Sequence, residues 1–260
     1  MSKIKIAVAG CLGKMGQEII KQILQDRRLV FVGGFEHKKH PKINKKFSEI
    51  SDIKSNLLVS GNAVHLIEEA SVVIDFTTPA STLSNIKKAS LMKTGYIVGT
   101  TGINQKQKTI IKSYSKKIPI LMSSNMSLAV NMLFKLVQQT ASVLGSDDYD
   151  IEISEAHHKH KVDAPSGTAL YLGQYAAEGR KTNLQKNQIF DRTSKNTNRK
   201  KGNIGFSVIR GGEIAGEHTV SFIGSNDRID LIHKATNRSI FVKGAIEAAV
   251  FTSKKKKGLF

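Results

Sequence analysis

Residues 155–169 read Glu155-Ala156-His157-His158-Lys159-His160-Lys161-Val162-Asp163-Ala164-Pro165-Ser166-Gly167-Thr168-Ala169, with three His, two Lys and two carboxylates. Desolvating so many ionisable groups is costly unless each is paired, so the cluster belongs in a cleft rather than a core. Histidine exchanges protons near neutral pH and lysine brings fixed positive charge, which suits acid/base chemistry on an anion. Pro165-Ser166-Gly167 reads as a turn, and a helix opens at Thr168. At a helix N-terminus, the backbone N–H groups and hydroxyls of Ser166, Gly167 and Thr168 suit a carboxylate or phosphate. The expectation is a pocket for an anionic molecule with acid/base groups beside it.

The elements around this stretch must position it. Tyr149 to Glu155 alternates as a strand that delivers the His cluster at its end. A helical period runs from Leu128 to Leu144 before it, and a helix over Thr168 to Gly179 follows. Residues 180–201 hold eight basic residues and one acid, Asp191, and read as a solvated, mobile excursion. Ile204 to Arg210, Glu217 to Ile223 and Arg228 to His233 read as an antiparallel set of strands beside the earlier one. Ser239 to Phe251 is an amphipathic helix, and Lys254 to Lys257 a solvated tail.

The first half has a different rhythm. Ile4 to Ala9 is a short apolar run ending in Gly10-Cys11-Leu12-Gly13-Lys14-Met15-Gly16. A helical pattern follows, then the strand Leu29 to Phe35 with Glu36 at its end. Glu36 lies 20 residues after Gly16, where a dinucleotide fold places the carboxylate that holds the adenosine ribose. The glycine pattern is G-x-x-G-x-x-G, with Leu12 where the middle glycine of the usual fingerprint would stand. An ordinary tight strand-to-helix turn is the competing reading. His37, Lys38, Lys39 and His40 either meet an adenosine 2′-phosphate or form a solvated basic loop. Further strands, Val72 to Phe76, Tyr96 to Val98 and Ile118 to Met122, alternate with helices. Each ends in a small polar loop: Thr77-Thr78, Gly99 to Gly102 and Ser123 to Met126. The sequence therefore predicts an α/β protein. An N-terminal Rossmann-type doubly wound parallel sheet occupies residues 1–127, with 238–260 packing back on it. A second α+β domain over 128–237 carries a mixed, largely antiparallel sheet.

Composition narrows the function. The 260 residues carry 40 Lys+Arg against 21 Asp+Glu, a net charge of +19. That favours anionic partners, either nucleic acid or anionic metabolites. The absence of Trp and the lack of any helix-turn-helix, ribonucleoprotein or zinc-finger pattern weigh against nucleic acid. No apolar run approaches the roughly 20 residues that span a bilayer, and no signal peptide is evident, so a cytoplasmic protein without a membrane partner is expected. Cys11 is the only cysteine, so no disulfide framework or thiolate metal site is expected. His157, His158 and His160 have a spacing found at metal sites, yet no thiolate stands nearby and a catalytic zinc would need a third ligand from elsewhere, so no metal is expected.

Glu155 to Ala169 closely resembles the signature of the bacterial 4-hydroxy-tetrahydrodipicolinate reductase family, the dihydrodipicolinate reductases of lysine and diaminopimelate synthesis. The likeness extends over Gly10 to Gly16, Asp75-Phe76-Thr77, Gly99 to Gly102, Asn125-Met126-Ser127, Gly216 to Thr219 and His233-Lys234-Ala235. The resemblance implies NADH or NADPH as cofactor. Gly10, Cys11, Leu12, Gly13, Lys14 and Met15 would hold its pyrophosphate, and Glu36 with His37 the adenosine end. Gly99, Thr100 and Thr101, with Ser123, Ser124, Asn125 and Met126, would line the nicotinamide side. His157 is implied as the catalytic proton donor and Lys161 as a second. His158, Ser166, Gly167 and Thr168 are implied as contacts to a small dicarboxylate substrate, and a homotetramer as the assembly. Many relatives have Arg where this chain has His37, with Lys38 and Lys39 as candidate substitutes. Asp163 is expected to hold Lys161 or cap the turn. His218, His233, Lys234 and Arg238 either face substrate carboxylates, Arg238 first among them, or serve as ordinary sheet residues. Two other classes compete: a different two-domain nicotinamide dehydrogenase, and a nucleic-acid binder that has kept a dinucleotide-type fold.

Overall fold

A computed structural model describes residues 2–193 and 198–260. The chain forms two compact units, one of Met1–Met126 with Phe241–Phe260 and one of Ser127–Ile240. The first unit runs β1 (Ile4–Ala9), α1 (Lys14–Gln25), β2 (Leu29–Phe35), α2 (Phe47–Ile50), β3 (Val59–Ser60), α3 (Ala63–Glu69), β4 (Val72–Asp75), α4 (Pro79–Met92), β5 (Gly95–Val98), α5 (Gln105–Tyr114) and β6 (Pro119–Met122). The second runs α6 (Leu128–Val143), β7 (Asp150–His157), α7 (Gly167–Gly179), α8 (Leu184–Asn187), β8 (Gln188–Ile189), β9 (Ile204–Arg210), β10 (Glu217–Ile223) and β11 (Arg228–Lys234). The chain then returns through α9 (Ser239–Ser253) to β12 (Gly258–Leu259).

In the first unit the strands lie in the order β12-β6-β5-β4-β1-β2-β3, every neighbouring pair parallel. Side chains alternate between the two faces of a strand, and here both faces are buried. Ile6, Val8, Ile74 and Ile97 pack with Ile19, Ile20 and Ile23 of α1 and with Val242, Ala245 and Ala249 of α9. Ala7, Ala9, Val73, Tyr96 and Val98 pack on the other side with Leu66 of α3, Ile86 of α4 and Ile111 of α5. This is why the strands read as unbroken apolar runs rather than alternating ones. The strand order reverses between β1 and β4, so the loops after these two strands diverge and leave a crevice at their carboxyl ends.

The second unit has a five-stranded sheet, β11-β10-β7-β9-β8. One face carries Ile151, Ile153, Ile204, Phe206, Val220 and Phe222, packed under Leu133 and Val137 of α6 and Leu172 and Ala176 of α7. The sheet is mixed, as expected, but β9 does not form one antiparallel set with β10 and β11. β7 pairs antiparallel with β10 but parallel with β9, and β8 is parallel to β9, so the four pairings divide evenly. β9 and β10 are not neighbours. They flank β7, and the segment joining them crosses the end of β7. Gly211 N–H donates to His157 O at 3.0 Å, His158 N–H to Ile214 O at 2.8 Å and Lys159 N–H to Gly212 O at 3.2 Å. A short Gly-rich link between two strand patterns reads as a hairpin, and nothing local in it says that a third strand lies between.

Two further expectations change. The basic stretch 180–201 is not simply a solvated excursion. It supplies α8 with buried Leu184, and the edge strand β8. Arg192 and Arg199 reach back to Glu152. Residues 194–197 of that stretch lie outside the described residues. The lysines of the tail are exposed as expected, yet Gly258–Leu259 adds a seventh parallel strand beside β6.

Removing residues 258–260 should expose the β6 edge. Met122 N–H donates to Phe260 O at 2.9 Å, and Phe260 N–H to Ile120 O at 2.9 Å. The expected outcome is a loss of roughly 1–2 kcal/mol in urea unfolding, with hydrogen exchange faster at the Met122 amide and unchanged at Ile74.

Candidate active site

In the first unit the candidate cofactor residues gather at the carboxyl ends of the strands. Gly10 ends β1 with φ +67, a conformation that favours glycine. A Cβ on it would lie 2.7 Å from Thr77 Cγ2, so glycine here makes room for the Thr77 side chain just after β4. A Cβ on Gly16 would lie 2.2 Å from Gly10 O, which is why α1 can start so close to β1. Helices α3, α4, α5, α6 and α7 each start at a residue whose side chain accepts a backbone N–H of the first turn. α1 starts at Gly13 with no side-chain cap. Its first N–H groups and its positive dipole end are therefore left for an external anion.

Glu36 closes this cradle from β2, its Oε1 accepting Leu12 N–H at 2.8 Å. A cleft of about 960 Å³ opens here, lined by Gly10, Leu12, Gly13, Glu36, His37 and Lys38, with His40 and Lys88 also at its wall. The size and the glycine cradle suit a dinucleotide. Lys14 and Met15 start α1. Cys11 can offer only its backbone, because its side chain is fully buried and burial, with Glu36 nearby, pushes the thiol up.

The remaining candidates lie at the ends of β5 and β6. Gly99 allows the Phe76 ring to approach, since a Cβ would meet it at 2.4 Å. Thr100 is buried, bonded to Thr82 Oγ1 at 2.8 Å and within 3.4 Å of Asp75. Thr101 is exposed beside it. Ser123 Oγ–H donates to Asn125 O at 2.6 Å, which shapes the turn, with Ser124 exposed and Met126 buried. Asp75 anchors this end of the sheet. It is fully buried and accepts from Thr77 N–H and Oγ1–H and from Tyr96 O–H.

In the second unit, the period of a strand brings Glu155 and His157 onto one face at the end of β7, with His218 and His233 opposite Glu155 across β10 and β11. They continue the face whose other end is the apolar core. Glu155 Oε2 lies 2.5 Å from His157 Nδ1. Arg210, at the end of β9, donates to both Glu155 oxygens at 2.8 Å and to Asp163 O at 2.7 Å. Ser166 N–H donates to Glu155 Oε1 at 2.9 Å, and Ser166 Oγ caps α7 by accepting from Ala169 N–H. The helix begins at Gly167, one residue earlier than the sequence suggests. The space beside Gly167 is open, and Thr168 stands in the first turn. His218 Nε2 lies 3.1 Å from Ser166 Oγ.

Lys161 pairs with Asp163 at 2.8 Å, as expected of Asp163. His158 Nε2 lies 3.0 Å from Arg238 Nη2. The sequence thus brings His157, Lys161, His158, Ser166, Gly167 and Thr168 into one neighbourhood, and Arg238 joins it. His160 is exposed, and Lys234 pairs with Glu217. No group of three or more His, Cys, Asp or Glu placed for a metal occurs among the described residues.

The electrostatics are set by burial against pairing. Burial opposes the ionisation of Glu155, but Arg210, the Ser166 N–H and His157 outweigh it and hold the carboxyl below its usual range. Burial lowers the His157 imidazole. Glu155 pulls the other way, and Lys161 and Arg210 add to the lowering. Burial, with His157 nearby, pushes His218 down to about 4. Near neutral pH the group is an ionised Glu155 beside a neutral His157.

Sequence reasoning did not single out Glu155 or Arg210 as site residues, and it left His218 open between a substrate contact and an ordinary sheet residue. The signal for Glu155 was its spacing of two from His157 along a strand. Arg210 and His218 come from strands distant in sequence, and no local pattern links them to β7.

A family model described as "Dihydrodipicolinate reductase, N-terminus" matches residues 4–126, and one described as "Dihydrodipicolinate reductase, C-terminus" matches residues 129–260. The chain is 40% identical over 257 residues to a 4-hydroxy-tetrahydrodipicolinate reductase of Polynucleobacter necessarius, covering 99% of this chain and 96% of the relative. It is 38% identical over 260 residues to the enzyme of that name from Nitrosomonas europaea, covering 100% and 97%. Among solved structures, a dipicolinate-bound dihydrodipicolinate reductase from Paenisporosarcina superposes with a TM-score of 0.80 at 24% identity, covering 100% of this chain and 97% of the other.

The His218 environment gives a pH prediction. An imidazole with a depressed folded-state pKa binds its proton more readily in the unfolded chain. Its contribution to stability is therefore full above about pH 6.5 and is lost as pH falls toward about 4. Urea unfolding followed between these limits should show stability falling with pH. The His218→Gln variant should show a shallower slope, the difference reaching at most about 3 kcal/mol.

Proposed function

Since the chain belongs to the dihydrodipicolinate reductase family, we propose that its first unit is the dinucleotide-binding domain and its second holds the substrate and the proton donors. The reaction is the NAD(P)H-dependent reduction of 4-hydroxy-tetrahydrodipicolinate to tetrahydrodipicolinate, with loss of water, in lysine and diaminopimelate biosynthesis.

Gly10, Leu12, Gly13, Lys14 and Met15 hold the cofactor pyrophosphate, chiefly through the uncapped start of α1. Cys11 contributes its backbone. Glu36 takes the adenosine ribose hydroxyls. His37, Lys38, His40 and Lys88 give the cleft wall a basic flank, so both NADH and NADPH are accepted. Gly99, Thr100, Thr101 and Ser123 to Met126 shape the loops that line the nicotinamide side. Bound there, the reduced nicotinamide supplies the hydride.

The substrate is a small dicarboxylate, and the dipicolinate held by the structural relative supports that class. Gly167 and Thr168 at the start of α7, with the Ser166 cap, bind one carboxylate. His158, with Arg238 beside it, contacts the substrate too. Reduction leaves a carbon that must gain a proton. His157 provides it, because Nδ1 is occupied by Glu155 and Nε2 remains for exchange. Lys161, oriented by Asp163, is the second donor and sets positive charge against the dianion. The observation that carries this reading is His157 aligned by a buried carboxylate next to an anion-binding helix start.

The outer face of the second sheet exposes Ile209 and Ile232, and we assign it to a homotetramer interface. A buried single cysteine fits a reducing cytoplasm.

The test is oxidation of NADH and of NADPH, with substrate generated in place by the preceding synthase. Oxidation should require the substrate. The His157→Gln variant should lose about 10²–10⁴-fold in kcat with little change in KM. Lys38→Ala should raise KM for NADPH roughly tenfold, by the loss of one charge-assisted contact, and leave NADH unaffected. An unchanged kcat in His157→Gln would sink the assignment of the proton donor.

A further inference from the structure

Four polar contacts converge on one buried carboxylate. Ser166 N–H and Arg210 Nη2 reach Glu155 Oε1 at 2.9 and 2.8 Å. Arg210 Nη1 reaches Oε2 at 2.8 Å, and His157 Nδ1 lies 2.5 Å from the same oxygen. Glu155 is 2% exposed. An ionised carboxylate only accepts, at about four lone-pair positions, and all four are filled. A backbone N–H and a guanidinium can only donate. Only the imidazole could reverse its role, and facing a filled acceptor it has to donate. We propose that Glu155, locked by Arg210, is a positioning residue that holds His157 in the tautomer protonated on Nδ1, so that Nε2 is the atom presented for proton exchange.

The surroundings of Nε2 agree. Gly216 sits at φ +150, and a Cβ there would lie 3.1 Å from Nε2. Glycine keeps that approach open. The titratable and charged groups around His157 come from several packed elements: Glu155 on β7, Arg210 on β9, His218 on β10 and Lys161 in the loop after β7. The His218 ring, 5.1 Å away and tilted by 76°, has its Nε2 engaged with Ser166 Oγ and does not compete for Nδ1.

The inference rests on His157 as the proton donor, and a measurement on the intact protein separates the two. Nitrogen-15 spectra of the histidine rings, assigned by difference from His157→Gln, report the tautomer directly. For the unmutated chain above neutral pH, Nδ1 of His157 should be of the protonated, pyrrole type and Nε2 of the bare, pyridine type. In Glu155→Gln, one amide nitrogen must face a donor, and only His157 can yield. Its tautomer should reverse, with kcat falling about 10²–10⁴-fold while substrate KM stays within about threefold. Glu155→Asp should recover part of both signals. A proton on Nε2 in the unmutated chain would overturn the inference, as would an unaltered tautomer and kcat in Glu155→Gln. Should Glu155→Gln fail to fold, the spectrum of the unmutated chain decides alone. Full activity in His157→Gln would remove the catalytic reading, and the spectrum would still decide the positioning.

Discussion

The bidentate pair between Arg210 and Glu155 is the constraint on which the second unit's site depends. It joins the ends of β7 and β9, and through Ser166 N–H it fixes where α7 begins. Through Arg210 and the Asp163 carbonyl it also ties down the loop that carries Lys161. Buried ion pairs are poor sources of net stability, because desolvation offsets most of the attraction. Losing one partner is another matter, since it strands a buried charge at a cost of about 3–5 kcal/mol. The pair is better understood as a device for specificity of arrangement than as a source of stability.

Both units solve the same problem in different ways. A chemical group must be rigid yet reachable, and the end of a central strand offers both. In the first unit the crevice comes from the reversal of strand order between β1 and β4, with glycines allowing the backbone to approach a ligand. In the second, β7 is held on both sides by neighbours, and the segment between β9 and β10 closes over its end. The polar site there is a direct continuation of the apolar face that α6 and α7 cover. That explains why its histidines are partly desolvated and its carboxylate is so fully bonded.

Much of this was legible in the residues. The doubly wound sheet followed from short β-branched runs alternating with helical periods, and the cleft from Gly10, Gly13, Gly16 and Glu36. The cluster from His157 to Thr168 stood out as a candidate site because ionisable side chains rarely crowd without a purpose. What stayed hidden was non-local. The parallel pairing of β7 with β9 is invisible in a sequence that reads as consecutive hairpins. Arg210 looks like any strand-end arginine until the pairing brings it against Glu155. The last strand, Gly258–Leu259, is too short and too close to a lysine run to carry a pattern of its own. In the stretch 180–201, high charge outweighed the apolar anchors Leu184 and Phe190.

The return of α9 and β12 to the first unit has a consequence for how the protein is made. The second unit is an insertion within the first, so the unit that is synthesised first is completed last. Until Val242, Ala245 and Ala249 have left the ribosome, one apolar face of the parallel sheet, with Ile6, Val8, Ile74 and Ile97, has α1 over it but lacks the part of its cover that α9 supplies. The nascent chain carries that partly unprotected surface while more than a hundred further residues are added, a state open to aggregation. An interval of partial exposure during synthesis is therefore built into the order in which this chain visits its own core.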